Sequence, residues 1–451
     1  MSQQVAHIAR LFLAVAVVIA MAAPAQAARI ALVRDAQTEA LMRAYAQPIL
    51  RAAGLRNGAV EILLVNDRSF NAFVTGRRMF INTGAIMTSK VPNEIIGVVA
   101  HEVGHIQGGH QNRLRERIER AQVMSVIAGL VGAGISVGSV AAGSAEGARA
   151  GLGVAAGGRT AALRSLLSYR RSEERAADIA ALRLLDATGQ SGRGLLETFR
   201  RFQTSLSLSG ASRDKYKRSH PLPRDRMAAL ERDVAASPNF SKRDSDALQL
   251  AHDMVRAKLV AYTGTGRDQA RFANEFRGSL PGLYHDAIST FLNGSSRAAL
   301  PKIDAAITRA PRNAYLHEMK GEILLRSARP REAVSAFQNA VKFDRNNNGF
   351  LRSQLGHALV EIGDQQSLQT AVKQLQRGLS DDPNNPLGFG YLARAHAGLG
   401  QVALADLASA EAARAAGNLT QAKQLAKRAQ QGLKSGSGAW LRAGDIMAIR
   451  G

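Results

Sequence analysis

Most of the chain carries apolar residues at intervals of three and four, which is the spacing of one buried face of an α-helix. Gln37–Leu55 has this spacing and breaks near Gly54, so we expect an amphipathic helix there. The stretches that follow are rich in branched apolar residues instead. Val60–Asp67 predicts one strand, and Asn71–Ile86 predicts two short strands around a turn at Thr75–Gly76. The pattern therefore indicates a small sheet within a mainly helical chain.

Two long helices are predicted after these strands. The first begins near Pro92, since proline is tolerated at a helix start and Glu94 suits the positive end of the helix dipole. The second covers Thr160–Gly189, where the glycine ends the periodic pattern. Between them, Met124–Gly143 carries no charge but is rich in glycine, alanine and serine. We expect an apolar insertion that touches a membrane surface, and a true membrane span is the alternative.

Helix–turn–helix units repeat from about residue 283 onward. Turns with proline or asparagine begin at Ala310, Asp344 and Asp382, so the intervals are 34 (344 − 310) and 38 (382 − 344) residues. A tetratricopeptide repeat has 34 residues, and Gln365–Thr370 can hold the extra four. The small and aromatic residues of this repeat stand in order at Gly321, Ala333 and Phe337. The pattern predicts an α-solenoid, with an ordinary helical bundle as the alternative.

The N-terminal residues have the form of an export signal. Arg10 precedes an apolar run, Leu11–Ala23, and Ala25–Ala27 has the small-x-small form of a signal peptidase site. We expect residues 1–27 to be a signal peptide cleaved after Ala27, with an uncleaved membrane anchor as the alternative. The chain has no cysteine, which excludes a lipoprotein anchor, disulfide bonds and thiol catalysis. These features predict a bacterial periplasmic protein.

The formal net charge is +23, and it remains +22 (23 − 1) when Arg10 leaves with the signal peptide. Such a charge is typical of nucleic-acid-binding proteins, but an exported protein does not meet nucleic acid. We therefore expect no nucleic-acid partner. Anionic lipids, through a peripheral membrane contact, and acidic proteins are the better candidates. A solvated basic surface without a partner is the alternative.

The sequence VVAHEVGHIQGGH, at Val98–His110, carries the densest group of candidate metal ligands. His101 and His105 are four residues apart, so one helix face presents both to the same ion. Glu102 lies about a hundred degrees around the helix, close enough to act on a water at that ion. This is the H-E-x-x-H arrangement of zinc hydrolases, in which the glutamate is the general base. A chance occurrence on a surface helix is the alternative.

A catalytic zinc ion needs a third protein ligand, and two places can supply it. His110 follows the second histidine by only five residues, whereas a third histidine in such motifs follows by six, so we expect it to take no part. Glu174 is the stronger candidate. It shares a helix face with Asp178, which can accept the spare N–H of the first histidine. Glu173 is the rival, but it lies about a hundred degrees away on that helix.

The H-E-x-x-H helix, followed by E-x-x-A-D at Glu174–Asp178, resembles the HtpX-like family of zinc metalloproteases. The export signal, the loop SHPLPRDR at Ser219–Arg226 and the repeats resemble a periplasmic branch of that family. Members of this branch are proteases and chaperones of outer-membrane β-barrel assembly. The resemblance covers most of the mature chain. It implies an α+β protease domain of the gluzincin type, with one Zn²⁺ per chain.

The resemblance also implies roles for single residues. Three of them match the zinc ligands and a fourth the catalytic glutamate: His101, His105, Glu174 and Glu102. His220 matches a histidine on a gating loop near zinc. There it either fills the open coordination position as a latch or stabilises the oxyanion. Arg226 is expected to steady that loop or the oxyanion.

An extended substrate is expected to add to an edge strand, where backbone pairing matters more than side-chain identity. The alternating stretch Arg78–Gly84 is the candidate, through Met79, Phe80, Ile81 and Asn82. Such binding suits unfolded strands of β-barrel proteins. An internal strand is the alternative.

Together these features predict a mainly α-helical protein with a small β-sheet, followed by an α-solenoid of tetratricopeptide repeats. The parts are a signal peptide (1–27), a zinc metalloprotease domain (28–245), a helical linker (246–282) and the repeat domain (283–451). We expect an envelope endopeptidase that cleaves misfolded or stalled proteins, outer-membrane β-barrel proteins first among them, and that also acts as a chaperone. Its repeats would dock clients or the β-barrel assembly machinery. A non-proteolytic scaffold with structural zinc and an integral membrane protease are the alternatives.

Overall fold

A computed structural model of the protein describes residues 31–56, 58–120, 122–123, 145–208, 220 and 224–450. Two predictions fall outside these residues, namely the signal peptide at 1–27 and the apolar insertion at Met124–Gly143. Within the described part, no helix combines the length and the apolarity needed to cross a bilayer.

The first half of the described chain contains a small sheet and the helices around it. In chain order the elements are β1 (Leu32–Val33), α1 (Ala36–Ala52), β2 (Glu61–Val65), β3 (Ala72–Thr75), β4 (Arg78–Asn82), α2 (Thr83–Thr88), α3 (Pro92–Gly108), α4 (110–120), α5 (Ala145–Ala187), α6 (Arg193–Leu208) and α7 (Arg224–Ala236). The predicted helices at Gln37–Leu55, from Pro92 and at Thr160–Gly189 are thus present.

The four strands lie in the order β1-β2-β4-β3. β3 and β4 form the hairpin expected around Thr75–Gly76, with Phe73 opposite Phe80. β2 pairs in parallel with the other side of β4, with Leu63 opposite Phe80. Because both sides of β4 are already hydrogen-bonded, the expectation of an edge strand at Met79, Phe80, Ile81 and Asn82 is wrong. The edge strand on this side of the sheet is β3.

Helix α3 is the most deeply buried helix of this half. It begins at Pro92 with Glu94 in its first turn, as the sequence predicts, and it packs against α5 and α6. Gly104 allows the closest approach to α5, because a Cβ atom there would lie 2.8 Å from the carbonyl oxygen of Ala177. The helix ends at Gly109, whose φ of 62° turns the chain into α4.

The second half is helical throughout the described residues. In order, the helices are α8 (Asp246–Thr263), α9 (Gly266–Glu275), α10 (Leu280–Leu292), α11 (Ser296–Arg309), α12 (Ala314–Arg326), α13 (Pro330–Phe343), α14 (Gly349–Ile362), α15 (Gln365–Asp381), α16 (Pro386–Gly398), α17 (Val402–Ala415), α18 (Leu419–Gly432) and α19 (Gly438–Ala448).

From α10 onward, each helix packs mainly against the next one, which confirms the expected α-solenoid. Gly321 on α12 lies against the ring of Phe337 on α13, where a Cβ atom would stand 2.7 Å from the ring. Gly356 on α14 lies in the same way against Leu375 on α15. The longer interval in the sequence is absorbed by α15, which has 17 residues where α13 has 14.

One hydrophobic core joins the sheet region to the first repeat helices. The described residues from Val33 onward form one compact unit, and a cluster of buried apolar residues runs from Leu41 to Ile323. A buried hydrogen bond of 2.9 Å also connects Tyr45 Oη on α1 to His252 Nδ1 on α8. The core therefore continues across residues 246–282, the predicted linker, and the assignment of separate domains stays a prediction.

Candidate metal centre

Separate segments of the chain bring four buried side chains to one point. Helix α3 supplies His101 and His105 from one face, and helix α5 supplies Glu174. His220, in the connection between α6 and α7, completes the group. One potential ligand atom from each side chain lies within 4.8 Å of all the others. The candidate ligands that lie far apart in the sequence are thus adjacent in the structure.

In five of the six pairs among these side chains, the atoms lie at distances close to the edges of a tetrahedron around zinc. His101 Nε2 lies 3.1 Å from His105 Nε2 and 3.3 Å from His220 Nδ1. Glu174 Oε2 lies 3.4 Å from His101 Nε2, and Glu174 Oε1 lies 3.4 Å from His105 Nε2. Both oxygens of Glu174 lie 3.1 Å from His220 Nδ1. Zinc–ligand bonds of about 2.0–2.1 Å give tetrahedron edges of about 3.3 Å, so the residues fit zinc with His220 in the fourth position.

The far side of His101 is held by the acidic residue that the sequence suggests. His101 Nδ1 lies 3.1 Å from Asp178 Oδ1. Asp178 in turn accepts two hydrogen bonds from Arg226, at 2.6 and 2.8 Å, and Arg226 also lies 2.9 Å from Glu174. The nearby Asp178 carboxylate favours a proton on Nδ1, which leaves a lone pair on Nε2, directed at the other three ligand atoms.

His110 lies beside the centre, where the sequence argument expected no role for it. Its Nδ1 is 2.8 Å from His105 Nδ1, and its Nε2 is 2.8 Å from Glu173 Oε2. The five-residue spacing correctly predicts that His110 is not among the four converging atoms, but it does not indicate the contact with the far nitrogen of His105. The signal that could have found it is the Gly108–Gly109 pair, which ends the helix and leaves room for the ring of His110.

Electrostatics at this point favour a cation. Burial opposes the charged form of Glu174, but His220 and His101 outweigh it and hold the pKa of Glu174 well below the usual value of a glutamate. Hydrogen bonds to Asp178 and Glu174 likewise outweigh burial at His101 and raise its pKa to about 9. Burial and the neighbouring His101 lower the pKa of His105 well below its usual value. The ionised carboxylates of Glu174 and Asp178 therefore give this pocket a negative charge, which favours a bound cation.

Glu102 faces a cavity beside the four ligands. Burial raises its pKa, and neither of its carboxylate oxygens has a hydrogen-bond partner within the described residues. Its Oε1 lies 3.4 Å from His220 Nε2. The cavity, of about 180 Å³, has an apolar lining from the edge strand and two helices: Phe73, Val74, Leu114 and Tyr169. A carboxylate with a raised pKa in such a cavity is suited to exchange a proton with a water molecule.

Residues 33–234 match the model of Peptidase family M48, which confirms the resemblance to a family of peptidases. The chain is 24% identical to the beta-barrel assembly-enhancing protease of Escherichia coli (strain K12) over 385 residues, which is 84% of this chain and 75% of that protein. It is 26% identical to the protein of the same name from Yersinia pestis over 384 residues, 83% of this chain and 75% of that one.

Two solved structures also match part of the chain. The crystal structure of MamA matches with a TM-score of 0.29 and 17% identity, covering 36% of this chain and 90% of MamA. That of YrrB, a TPR protein, matches with a TM-score of 0.32 and 18% identity, covering 39% of this chain and 91% of YrrB. The solenoid of the present chain is established by its own helix pairs.

Proposed function

We propose that this chain, whose residues 33–234 match Peptidase family M48, is a zinc-dependent endopeptidase of the bacterial cell envelope. The observation that carries the proposal is the position of Glu102, beside four converging ligand atoms and without a hydrogen-bond partner in the described residues. A zinc site that only holds a fold together needs no base, and a buried carboxylate without a function is costly. One zinc ion per chain would be held by His101, His105 and Glu174.

In the proposed reaction Glu102 moves the protons. Bound zinc would supply a Lewis acid that polarises the scissile carbonyl and lowers the pKa of the attacking water. Glu102 takes the proton of that water on its carboxylate and passes it to the amine nitrogen that leaves. The raised pKa of Glu102 suits both steps, because the protonated form has to persist between them. Asp178 and Arg226 keep His101 and Glu174 in place meanwhile.

The substrate is proposed to bind along β3 rather than along β4. β3 has a partner on one side only, within the described sheet. Phe73 and Val74, both on β3, line the cavity that contains Glu102 and His220. An extended chain that adds to the free side of β3 would pass this cavity, with backbone hydrogen bonds giving affinity. Such recognition tolerates many sequences, which suits a protease of unfolded proteins.

The clients are proposed to be misfolded or stalled envelope proteins, with outer-membrane β-barrel proteins first among them. The name of the relatives, beta-barrel assembly-enhancing protease, supports this choice. The α-solenoid from α10 to α19 would dock clients or the β-barrel assembly machinery, as solenoids present extended binding surfaces. The predicted signal peptide would direct the protein to the periplasm, where the net charge of +22 (23 − 1) that remains after its cleavage favours a peripheral contact with anionic lipids.

A non-proteolytic scaffold is the second candidate, and one observation favours it. His220 Nδ1 completes a four-ligand set, and structural zinc sites are closed in this way, whereas catalytic sites keep one position open. In that case zinc would stabilise the fold, and the repeats would carry a chaperone function alone. The two candidates differ in what they require of Glu102.

The test compares Glu102→Gln with the wild type for bound zinc and for cleavage of an unfolded β-barrel protein. We expect equal zinc content, since glutamine keeps the shape of the side chain, and a loss of cleavage of at least about 1,000-fold, since the base is gone. Glu332→Gln, at an exposed glutamate on α13, is the matched control and should cleave normally. Cleavage by Glu102→Gln at the wild-type rate would refute the mechanism. A wild type that binds zinc and cleaves no unfolded client would support the scaffold.

A further inference from the structure

We propose that His110 and Glu173 are positioning residues of the metal centre, which fix the orientation and the proton of His105. The proposal rests on zinc binding by the site described above. It extends that site by giving a role to the contact at Nδ1 of His105. The corresponding nitrogen of His101 lies beside Asp178. Neither His110 nor Glu173 contributes an atom to the four-ligand group.

The contacts form a continuous chain of hydrogen-bonding groups. His105 Nδ1 lies 2.8 Å from His110 Nδ1, and His110 Nε2 lies 2.8 Å from Glu173 Oε2. Both oxygens of Glu173 accept from Arg113, at 3.3 and 3.0 Å. Arg113 also donates to the hydroxyl of Tyr169 at 3.2 Å. His110 is buried and Glu173 is nearly so, and thus the inner part of this chain is shielded from solvent.

The donor and acceptor roles along this chain are fixed by Glu173. An ionised carboxylate only accepts, so His110 Nε2 carries the proton that it donates to Glu173. In a neutral imidazole the other nitrogen is then an acceptor, so His110 Nδ1 accepts the N–H of His105 Nδ1. His105 Nε2 is left with its lone pair, directed at Glu174 Oε1 and His101 Nε2. The arrangement selects the tautomer of His105 that can bind a metal ion.

Asp178 and Arg226 lie in the corresponding place beside His101. In both cases an acidic residue on α5 is held by an arginine from another helix. The difference is that His110 is inserted between His105 and Glu173. Adjacent residues on α5 thus serve different purposes, because Glu174 faces the ligand atoms and Glu173 faces His110.

The backbone is built to admit His110. Gly109 adopts a φ of 62°, a left-handed conformation that ends α3. The ring of His110 then occupies the space where a side chain at position 108 would start, and this position is a glycine. Two successive glycines therefore allow the histidine to reach the far nitrogen of His105.

The test measures zinc affinity in His110→Phe and His110→Gln. Phenylalanine fills the space of the ring but has no hydrogen-bonding atom, so we expect the zinc dissociation constant to rise about 10- to 100-fold. Glutamine can accept from His105 through its carbonyl and donate to Glu173 through its amide, so it should restore most of the affinity. Gln107→Ala is the control, at a residue one turn before His110 whose side chain donates a hydrogen bond to Ala53 O. It should bind zinc as the wild type does. Competition with a chromophoric chelator gives these constants without any cleavage assay.

Two further measurements separate positioning from a loss of folding. Cobalt(II) should bind in place of zinc, and its visible absorption spectrum should change in His110→Phe but not in Gln107→Ala, because the spectrum reports ligand geometry. Glu173→Ala should weaken zinc binding by itself but add less than about twofold in the background of His110→Phe, since both act through one contact chain.

The proposal is overturned if His110→Phe, with wild-type circular dichroism, binds zinc within about twofold of the wild type and has an unchanged cobalt spectrum. If His110→Phe does not fold, His110→Gln and Glu173→Ala decide together: a dissociation constant near that of the wild type in the first, with weakened zinc binding in the second, supports the proposal. Wild-type affinity in both His110→Gln and Glu173→Ala contradicts it. Failure of the wild type to bind zinc would instead refute the metal centre of the proposed function.

Discussion

At the scale of single residues, His220 contacts both the proposed ligands and the proposed base. Its Nδ1 lies 3.3 Å from His101 Nε2, and its Nε2 lies 3.4 Å from Glu102 Oε1. A latch and an oxyanion stabiliser make opposite predictions for its removal. Since Nδ1 is placed among the ligand atoms, we expect a latch. His220→Ala should therefore raise peptide cleavage and self-cleavage about tenfold, which corresponds to about 1.4 kcal/mol. Hydrolysis of a fluorogenic peptide measures the first activity. Gel electrophoresis of the purified protein over time measures self-cleavage.

The matched control for this prediction is His357→Ala. His357 stacks on Tyr391 in the repeats, far along the chain from the centre, and its loss should leave both activities unchanged. A fall in kcat of about 100-fold in His220→Ala would assign the oxyanion role instead and exclude the latch.

Sequence periodicity could identify most of the site, because α-helical geometry fixes which residues share a face. Periodicity predicts that His101 shares a helix face with His105, and Glu174 with Asp178. The structure places all four at the centre. Periodicity could not find His110. The direction of that side chain depends on the backbone of Gly109, and a positive φ is a property of one turn rather than of a repeating pattern.

At the scale of elements, the crossing of α3 and α5 sets the distances between the ligands. The two helices are closest where Gly104 faces Ala177, and Gly104 lies between the two histidine ligands. A Cβ atom at position 104 would lie 2.8 Å from the Ala177 carbonyl oxygen and 3.2 Å from the Cβ of Ala180. Backbone atoms cannot move aside as the end of a flexible side chain can, so an added methyl group must push the helices apart.

We therefore expect Gly104→Ala to destabilise the protein by about 1–3 kcal/mol, the usual cost of overpacking. It should also weaken zinc binding at least about tenfold, because His101 and His105 move away from Glu174. Urea unfolding and chelator competition measure the two effects. Gly390→Ala on α16 is the control, since a Cβ atom there meets nothing within 4 Å, and it should stabilise by about 0.5–1 kcal/mol. Unchanged stability and affinity in Gly104→Ala would contradict this account of the crossing.

The sheet shows why element order was harder to predict than element type. The hairpin of β3 and β4 joins strands that are adjacent in the sequence, and its turn residues predict it. The parallel pairing of β2 with β4 is not adjacent in sequence, and nothing in Arg78–Asn82 itself indicates a second neighbour. The repeats were easier, because each helix contacts mainly its neighbours and the 34-residue interval therefore specifies the packing.

At the scale of the whole molecule, a buried charged cluster joins three distant parts of the chain. Lys258 on α8 contacts Asp35, which caps α1, and its Nζ lies 3.2 Å from Glu318 Oε2 on α12. Asp35 also accepts from the backbone N–H and the hydroxyl of Thr38. One lysine thus faces two carboxylates, of which Asp35 has the additional hydrogen bonds. Burial raises the pKa of Glu318 to about 7, with a further rise from the charge of Asp35, while the pKa of Asp35 is lowered.

This difference predicts a pH dependence of stability that belongs to Glu318. Its pKa is about 7 in the folded protein and 4.5 when exposed, so its contribution to stability is fully present below pH 4.5 and is lost as the pH rises through 7. The loss is about 3 kcal/mol, from 2.5 pH units at about 1.36 kcal/mol each.

Glu318→Gln cannot ionise, so its unfolding free energy relative to that of the wild type should rise by about this amount between about pH 5 and about pH 8. Urea unfolding at both pH values gives the difference. A pH-independent difference for Glu318→Gln would mean that Lys258 keeps both carboxylates ionised, and that α1, α8 and α12 are joined by a cluster with a net negative charge.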